Sequence, residues 1–209
     1  MRKIRNDTSI EATTELREQA INAIQYLLHR NLADAKVDSL LSQCTFLHFD
    51  EADSLTSEEE EGMRDPNIDQ LSIYILLEGA CIYYHYPSVS TSKTMVGFAV
   101  RSGTLLHTYP TVLNRSEIQC VKESSILRLP LKALNKAYDE ELTKMLFEIY
   151  SEALLDACAF NRKKWNVRLK FMQEEGLLPY LPEETIAHFL GVNRKSLYRA
   201  KVLTLHGYD

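Results

Sequence analysis

The stretch LPEETIAHFLGVNRKSLYRAK, Leu181 to Lys201, restricts the fold of this chain more than any other part of it. Two helices that cross steeply over a short turn need a start signal, a small residue at the crossing, a turn residue with positive φ and a second start signal. Pro182 suits the first position of a helix, and the carboxylates of Glu183 and Glu184 favour its N-terminus. Ile186, Ala187 and Leu190 fall on one face, with Ala187 small where a second helix would cross. Gly191 stands where left-handed backbone is least strained for glycine. Val192 can plug the corner, Asn193 can cap the second helix, and Leu197 and Ala200 turn its apolar side inward. Every constrained position holds a suitable residue, so the spacing predicts a helix-turn-helix, completed by a short helix around Trp165 to Met172.

The opposite face of the second helix carries Arg194, Lys195, Tyr198, Arg199 and Lys201. A guanidinium matches guanine O6 and N7 in the major groove of a duplex, while Lys, Ser, Asn and Tyr can hold phosphates. Base reading is therefore assigned to Arg194, Lys195 and Arg199, and backbone positioning to Asn193, Ser196 and Tyr198, with Lys201 on the same basic face. The charge distribution agrees with a double-stranded DNA partner. From Asn161 onward nine basic side chains stand against five acidic ones, a net of +4 in a chain whose formal charge is −5, so residues 1 to 160 hold −9. A basic end on an acidic body is expected of a chain that meets DNA at one end only. The competing reading is a helical hairpin whose basic face is merely solvated. It explains the charges but not the apolar and glycine positions.

Upstream, Leu16, Ala20, Ile21, Ala23, Ile24, Leu27 and Leu28 recur with a helical period between Thr13 and Arg30, predicting an amphipathic helix. Val37 to Leu41 predicts a second short helix, and CTFLHF an alternating strand. Asp50 to Asp69, with four consecutive glutamates from Glu58 to Glu61 and little to bury, reads as an acidic solvated loop. From Leu71 the period changes to two. LSIYILLEGACIYYHYP reads as two strands meeting at Gly79, KTMVGFAVRSG as another, and SEIQCVKESSILRLP as two more broken at Lys122 to Ser125. Short strands joined by tight turns predict an antiparallel barrel or jelly roll.

Beyond Pro130 helical patterns continue to the end. Leu142, Leu146, Ile149, Ala153, Ala157 and Phe160 keep a three-four spacing, and Leu146, Ala153 and Phe160 lie seven apart. That seam either packs on its own roll or pairs with the same helix of a second copy, where Ala153 and Ala157 permit close approach. The expected fold class is α+β: an N-terminal antiparallel β jelly roll (double-stranded β-helix) with flanking helices over residues 1–138, a long dimerisation helix over 139–161, and a helix-turn-helix over 162–209. Cys44, Cys81, Cys120 and Cys158 are too scattered for a metal knuckle or a disulfide framework and are expected as buried thiols. A polar N-terminus and no run of eighteen apolar residues predict a cytoplasmic protein without membrane contact.

In this order of parts the chain resembles the CRP/FNR superfamily of bacterial transcription regulators, over nearly its whole length from about Asp34. YILLEGACIYY is similar to that family's strand-glycine-strand signature around Gly79, and KESSILRLPLKAL to the strand and short helix that close its roll. TIAHFLGVNRKSLYRAK, the most specific of the three, is similar to its DNA-reading unit. The resemblance implies a cyclic-nucleotide-binding-like sensor domain, a dimerising helix from about Asp139 to Asn161, homodimeric binding to a palindromic site, and RNA polymerase as a further partner.

Members that bind a cyclic nucleotide carry a Gly-Glu pair for the ribose and an Arg-Ser pair for the phosphate. Here His107 and Thr108 stand at the first pair, and Asn114 stands at the arginine, with Arg115 one residue late. A slip of one residue points a strand side chain to the opposite face, so Arg115 would regain the role only through a bulge. Cyclic AMP is therefore not the expected effector. His107, Thr108, Asn114 and Arg115, with Tyr150 or Cys158 from the long helix, mark where an unknown small molecule would bind. The cysteines also lack the N-terminal clustering of the iron-sulfur members, so no cofactor or metal is expected. Only VLTLHGYD follows Lys201, which predicts a winged-helix-like unit with a reduced wing.

A jelly roll also invites a reading as a metal-dependent enzyme, which needs clustered His and Glu ligands. His48, His85 and His107 are single and widely spaced, and the chain has no nucleophile elbow, P-loop or dinucleotide glycine motif, so no enzyme is expected. The remaining alternative is a dimeric ligand-sensing or scaffold protein that does not bind DNA. Such a protein has no need of Arg194, Lys195 and Arg199 together.

Overall fold

The computed structural model of the chain describes residues 9–27, 34–56, 72–86, 94–106, 115–130, 132–133, 151, 155 and 158–205. Helix α1 (Thr14–Leu27) starts where the Thr13 hydroxyl accepts the Leu16 N–H at 3.2 Å, and it buries Leu16, Ala20, Ala23 and Ile24. Helix α2 (Asp34–Leu41) buries Val37 and Leu40. The strands are β1 (Thr45–Phe49), β2 (Ser54–Thr56), β3 (Ser72–Glu78), β4 (Cys81–Tyr86), β5 (Thr94–Ala99), β6 (Leu105–Leu106), β7 (Arg115–Cys120) and β8 (Ser124–Pro130).

They form two four-stranded antiparallel sheets, ordered β1-β8-β3-β6 and β2-β7-β4-β5, the order of a jelly roll. β3 and β4 are consecutive but do not pair. Gly79, at φ 102°, passes the chain from one sheet to the other, and the Ala80 N–H then donates to Ser124 Oγ at 3.2 Å. A Cβ on Gly79 would stand 2.3 Å from Ser124 Oγ and 2.5 Å from the Glu123 carbonyl oxygen, so only glycine fits this crossing.

Two strands escape the sequence reading. β2 lies inside the stretch expected as an acidic solvated loop, where Leu55 pairs with Ile118 of β7; residues 57–71, including the four glutamates, lie outside the described residues. β6 is two buried leucines, too short to show a period. The cysteine expectation also needs correction. Cys81 and Cys120 are buried, but Cys44 is half-buried and Cys158 is exposed.

Three buried clusters stack the layers. α1 and α2 cover one face of the first sheet through Ala20, Ile24, Val37 and Leu40 against Ile73, Ile75 and Leu127. Tyr74, Leu76 and Ile126 meet Cys81, Ile118 and Cys120 between the sheets. With both faces covered, Ile73 to Leu77 of β3 are all buried, which is why that strand is a continuous apolar run rather than an alternation.

The outer face of the second sheet supports the C-terminal helices: α3 (Trp165–Glu174), a 3-10 turn (Leu178–Tyr180), α4 (Glu183–Leu190) and α5 (Arg194–Leu205). Ile82, Tyr84, Met95 and Val121 share one buried cluster with Met172, Leu177, Ile186, Leu190 and Leu197. The Phe98 ring on β5 stacks on Phe171 at 5.8 Å and meets the edges of Phe160 and Phe189 at 5.4 and 6.1 Å. No helix among the described residues is long and apolar enough to cross a membrane.

Candidate nucleic-acid interface

Two helices joined by a turn at Gly191 form where the spacing places them, with one shift: Pro182 precedes α4 as its cap residue, and Glu183 is the first helical position. At the other end Gly191 adopts left-handed backbone, φ 70° and ψ 33°. Its N–H donates to the His188 carbonyl at 3.1 Å, and the Val192 N–H donates to the Ala187 carbonyl at 2.9 Å. This paired closure satisfies the last carbonyls of α4 and brings Val192 onto Ala187, so the chain leaves in one defined direction. α5 then starts under its own cap, since the Ser196 N–H donates to Asn193 Oδ1 at 2.8 Å. Ile186, Ala187, Leu190 and Leu197 are buried, and Val192 and Ala200 pack against them.

With that face committed to the core, Arg194, Lys195, Tyr198 and Arg199 are left on the outside of α5. Lys195 and Arg199 have no ion-pair partner among the described residues, and Tyr198 is 62% exposed. The other two cations are held across the turn. Arg194 Nη2 donates to Glu184 Oε2 at 2.5 Å, and Lys201 Nζ donates to Glu183 Oε1 at 3.2 Å. The carboxylates that mark the start of α4 in the sequence therefore also brace α5, a use that the helix-start signal alone does not reveal. Asn193 spends its carbonyl oxygen on the cap, which leaves its amide N–H groups for a phosphate.

Arg168 on α3 is a structural residue that the sequence reading counts only as basic charge. Its Nη1 and Nη2 donate to the carbonyl oxygens of Phe189 and Leu190 at 3.1 and 3.0 Å, and its guanidinium lies over the Phe189 ring. Burial pulls its pKa below the ordinary arginine value. The fork ties α3 to the end of α4 and so fixes the three-helix unit. Arg162, Lys163 and Lys164, just ahead of α3, stay exposed.

The other expected site residues are only partly visible. His107, Thr108, Asn114 and Tyr150 lie outside the described residues; Arg115 begins β7 opposite Tyr86, and its side chain is not described. Leu142, Leu146, Ile149, Ala153 and Ala157 also lie outside, as do residues 206–209 at the expected wing. Phe160 is half-buried, with its ring against Phe98 and Phe171 of its own chain. Among the described residues no group of three or more His, Cys, Asp or Glu side chains is placed to hold a metal ion.

The two-sheet roll followed by this helical unit defines the CRP/FNR-like cyclic-nucleotide-binding fold. Three solved structures illustrate the likeness. A protein from Eubacterium rectale, provisionally described as a transcriptional regulator of the CRP/FNR family, matches with a TM-score of 0.54 at 13% identity, over 84% of this chain and 85% of that one. FixK2 from Bradyrhizobium japonicum matches with 0.53 at 15%, over 78% and 86%. A protein from Ruegeria pomeroyi, provisionally described as cyclic nucleotide binding, matches with 0.54 at 18%, over 94% and 90%. At these identities the likeness is one of fold. No family model matches the chain, and no curated protein matches it by sequence.

Proposed function

We propose that the chain is a transcription regulator of the CRP/FNR type, which binds double-stranded DNA as a homodimer through α5. The observation that carries this reading is the division of α5: Leu197 is wholly buried while Arg194, Lys195, Tyr198 and Arg199 of the same helix face solvent. A helix held in that way can enter a major groove with guanidinium groups at the base edges and Asn193, Ser196 and Lys201 near the phosphates. Dimerisation is assigned to the seam of residues 139–161, led by Leu146, Ile149 and Ala153. An effector other than cyclic AMP, held near His107, Thr108, Asn114 and Arg115, would act by changing how the two long helices pair. That pairing sets the separation of the reading helices, which must match half-sites roughly 34 Å apart. RNA polymerase is the further partner of a regulator of this kind.

Selection from a random duplex pool with the purified chain tests all of these elements together. The expected product is a palindromic sequence with half-sites one helical turn apart. A pool that stays unenriched at low salt, from a chain that sediments as a dimer, would overturn DNA reading in favour of a sensor or scaffold.

A further inference from the structure

We propose that Cys81 and Cys120 form an oxidisable pair, a modification site at which a peroxide closes a cross-strand disulfide inside the roll. The two residues are directly opposite each other in the β4–β7 ladder. The Val121 N–H donates to the Ala80 carbonyl at 2.9 Å on one side of them, while the Cys120 N–H and carbonyl turn away, to Asp53 and Ala52, at 2.8 Å each. This is the pattern of a non-hydrogen-bonded antiparallel pair, in which the Cα atoms stand about 4.5 Å apart and the side chains come closest. A disulfide spans Cα separations of about 4.4–6.8 Å. The sulfurs are 3.7 Å apart, so rotation of the two side chains with a small approach of the strands closes the bond without a change of register.

The surroundings distinguish the two thiols. Contact with Cys81 is the largest cause that pulls the Cys120 pKa below the ordinary thiol value, against burial, while contact with Cys120, together with burial, pushes Cys81 up. Cys120 is therefore the attacking sulfur. Its thiolate attacks one oxygen of hydrogen peroxide, the O–O bond breaks, and a sulfenic acid forms with release of one water after proton uptake. The Cys81 sulfur then attacks that sulfur, the S–O bond breaks, and the hydroxyl leaves as a second water with the Cys81 proton. Two thiols and one peroxide thus give one disulfide and two waters. Both sulfurs lie inside the roll, so the peroxide enters through local opening, and the pair reacts more slowly than the exposed Cys158.

The site lies directly beneath the C-terminal helices. Ile82 follows Cys81 and Val121 follows Cys120, and both side chains belong to the cluster on which α3 and α4 rest. Trp165, the only tryptophan of the chain, packs against the same cluster and reports on any shift in it. None of this depends on whether the chain reads DNA.

The test uses the full chain carrying Cys44→Ser and Cys158→Ser, treated with hydrogen peroxide, alkylated under denaturing conditions and weighed intact. The expected result is a mass lower by two hydrogen atoms, no alkylation, full reversal by dithiothreitol, one peptide joining the Cys81 and Cys120 segments, and a shifted Trp165 emission. Two alkylated thiols after treatment, a sulfinic acid on one cysteine with the other free, or chains linked to each other would overturn the proposal. The wild-type chain, mapped by peptide mass, gives the same readout should the double variant fail to fold. A chain shown by mass to hold the bond but with unchanged Trp165 emission would overturn the link to the C-terminal helices.

Discussion

Glu184 and Arg194, ten residues apart on either side of the Gly191 turn, hold each other at 2.5 Å although their side chains are 79% and 63% exposed. The carboxylate occupies one of the guanidinium groups assigned to base reading, so a duplex read by that group would have to displace it. An exposed pair of this kind contributes at most about 1 kcal/mol, whereas a bidentate guanine contact discriminates by about 1–3 kcal/mol. The right base repays the displacement and a random one does not. Glu184→Gln is therefore expected to raise affinity for operator DNA, where the pair is broken, by up to roughly fivefold and to widen the gap between operator and random DNA in competition gel shifts. An unchanged ratio would show that the pair plays no part in selectivity.

Arg199 has no such partner among the described residues and points outward from α5. Arg199→Ala is expected to weaken operator binding by about 1–3 kcal/mol, roughly 5- to 150-fold, with little change in melting temperature. Gel-shift titration beside a thermal melt measures both quantities. Unaltered operator affinity would remove Arg199 from the reading surface.

Two glycines with positive φ should respond differently to alanine. At Gly191, φ 70°, an added Cβ meets nothing within 4 Å, so Gly191→Ala costs only the left-handed backbone penalty of about 1–2 kcal/mol. At Gly79 the same methyl would collide with Ser124 and with the backbone of Glu123, and the loss should be roughly twice as large or more. Urea unfolding midpoints of the two variants compare the costs directly. Equal losses would mean that the Gly79 crossing relaxes more easily than its geometry implies.

The dimer assignment rests on the seam alone, since Ile149 and Ala153 lie outside the described residues. A carboxylate placed in an apolar two-chain seam would be buried without a partner, so Ile149→Asp or Ala153→Asp is expected to yield monomers in sedimentation velocity. A dimer that survives both substitutions would place the interface elsewhere.

The α4–α5 unit was legible because its constraints are local. A turn that needs positive φ takes Gly191, a cap takes Asn193, and an inner face three and four residues apart takes Ile186, Ala187 and Leu190. The strands with a clear period of two were legible for the same reason. β2 and β6 were not, because three and two residues carry no period and their pairing with β7 and β3 is supplied from far along the chain. Arg168 shows the same limit, since its type signals only charge and its two acceptors lie 21 and 22 residues away.

Short-range order, then, was the contribution of the sequence by itself: which of the longer described segments are helix or strand, where the chain turns at Gly191, and which side of α5 is basic. These follow from steric and hydrogen-bonding demands that neighbouring residues impose on one another. Only the tertiary structure decided that β3 and β4 part into different sheets at Gly79, that Cys81 meets Cys120, that Glu184 holds Arg194, and that the C-terminal helices rest on Ile82 and Val121. Each of these joins residues whose proximity depends on how whole layers bury their apolar faces, and that is a property of the packed chain rather than of any window within it.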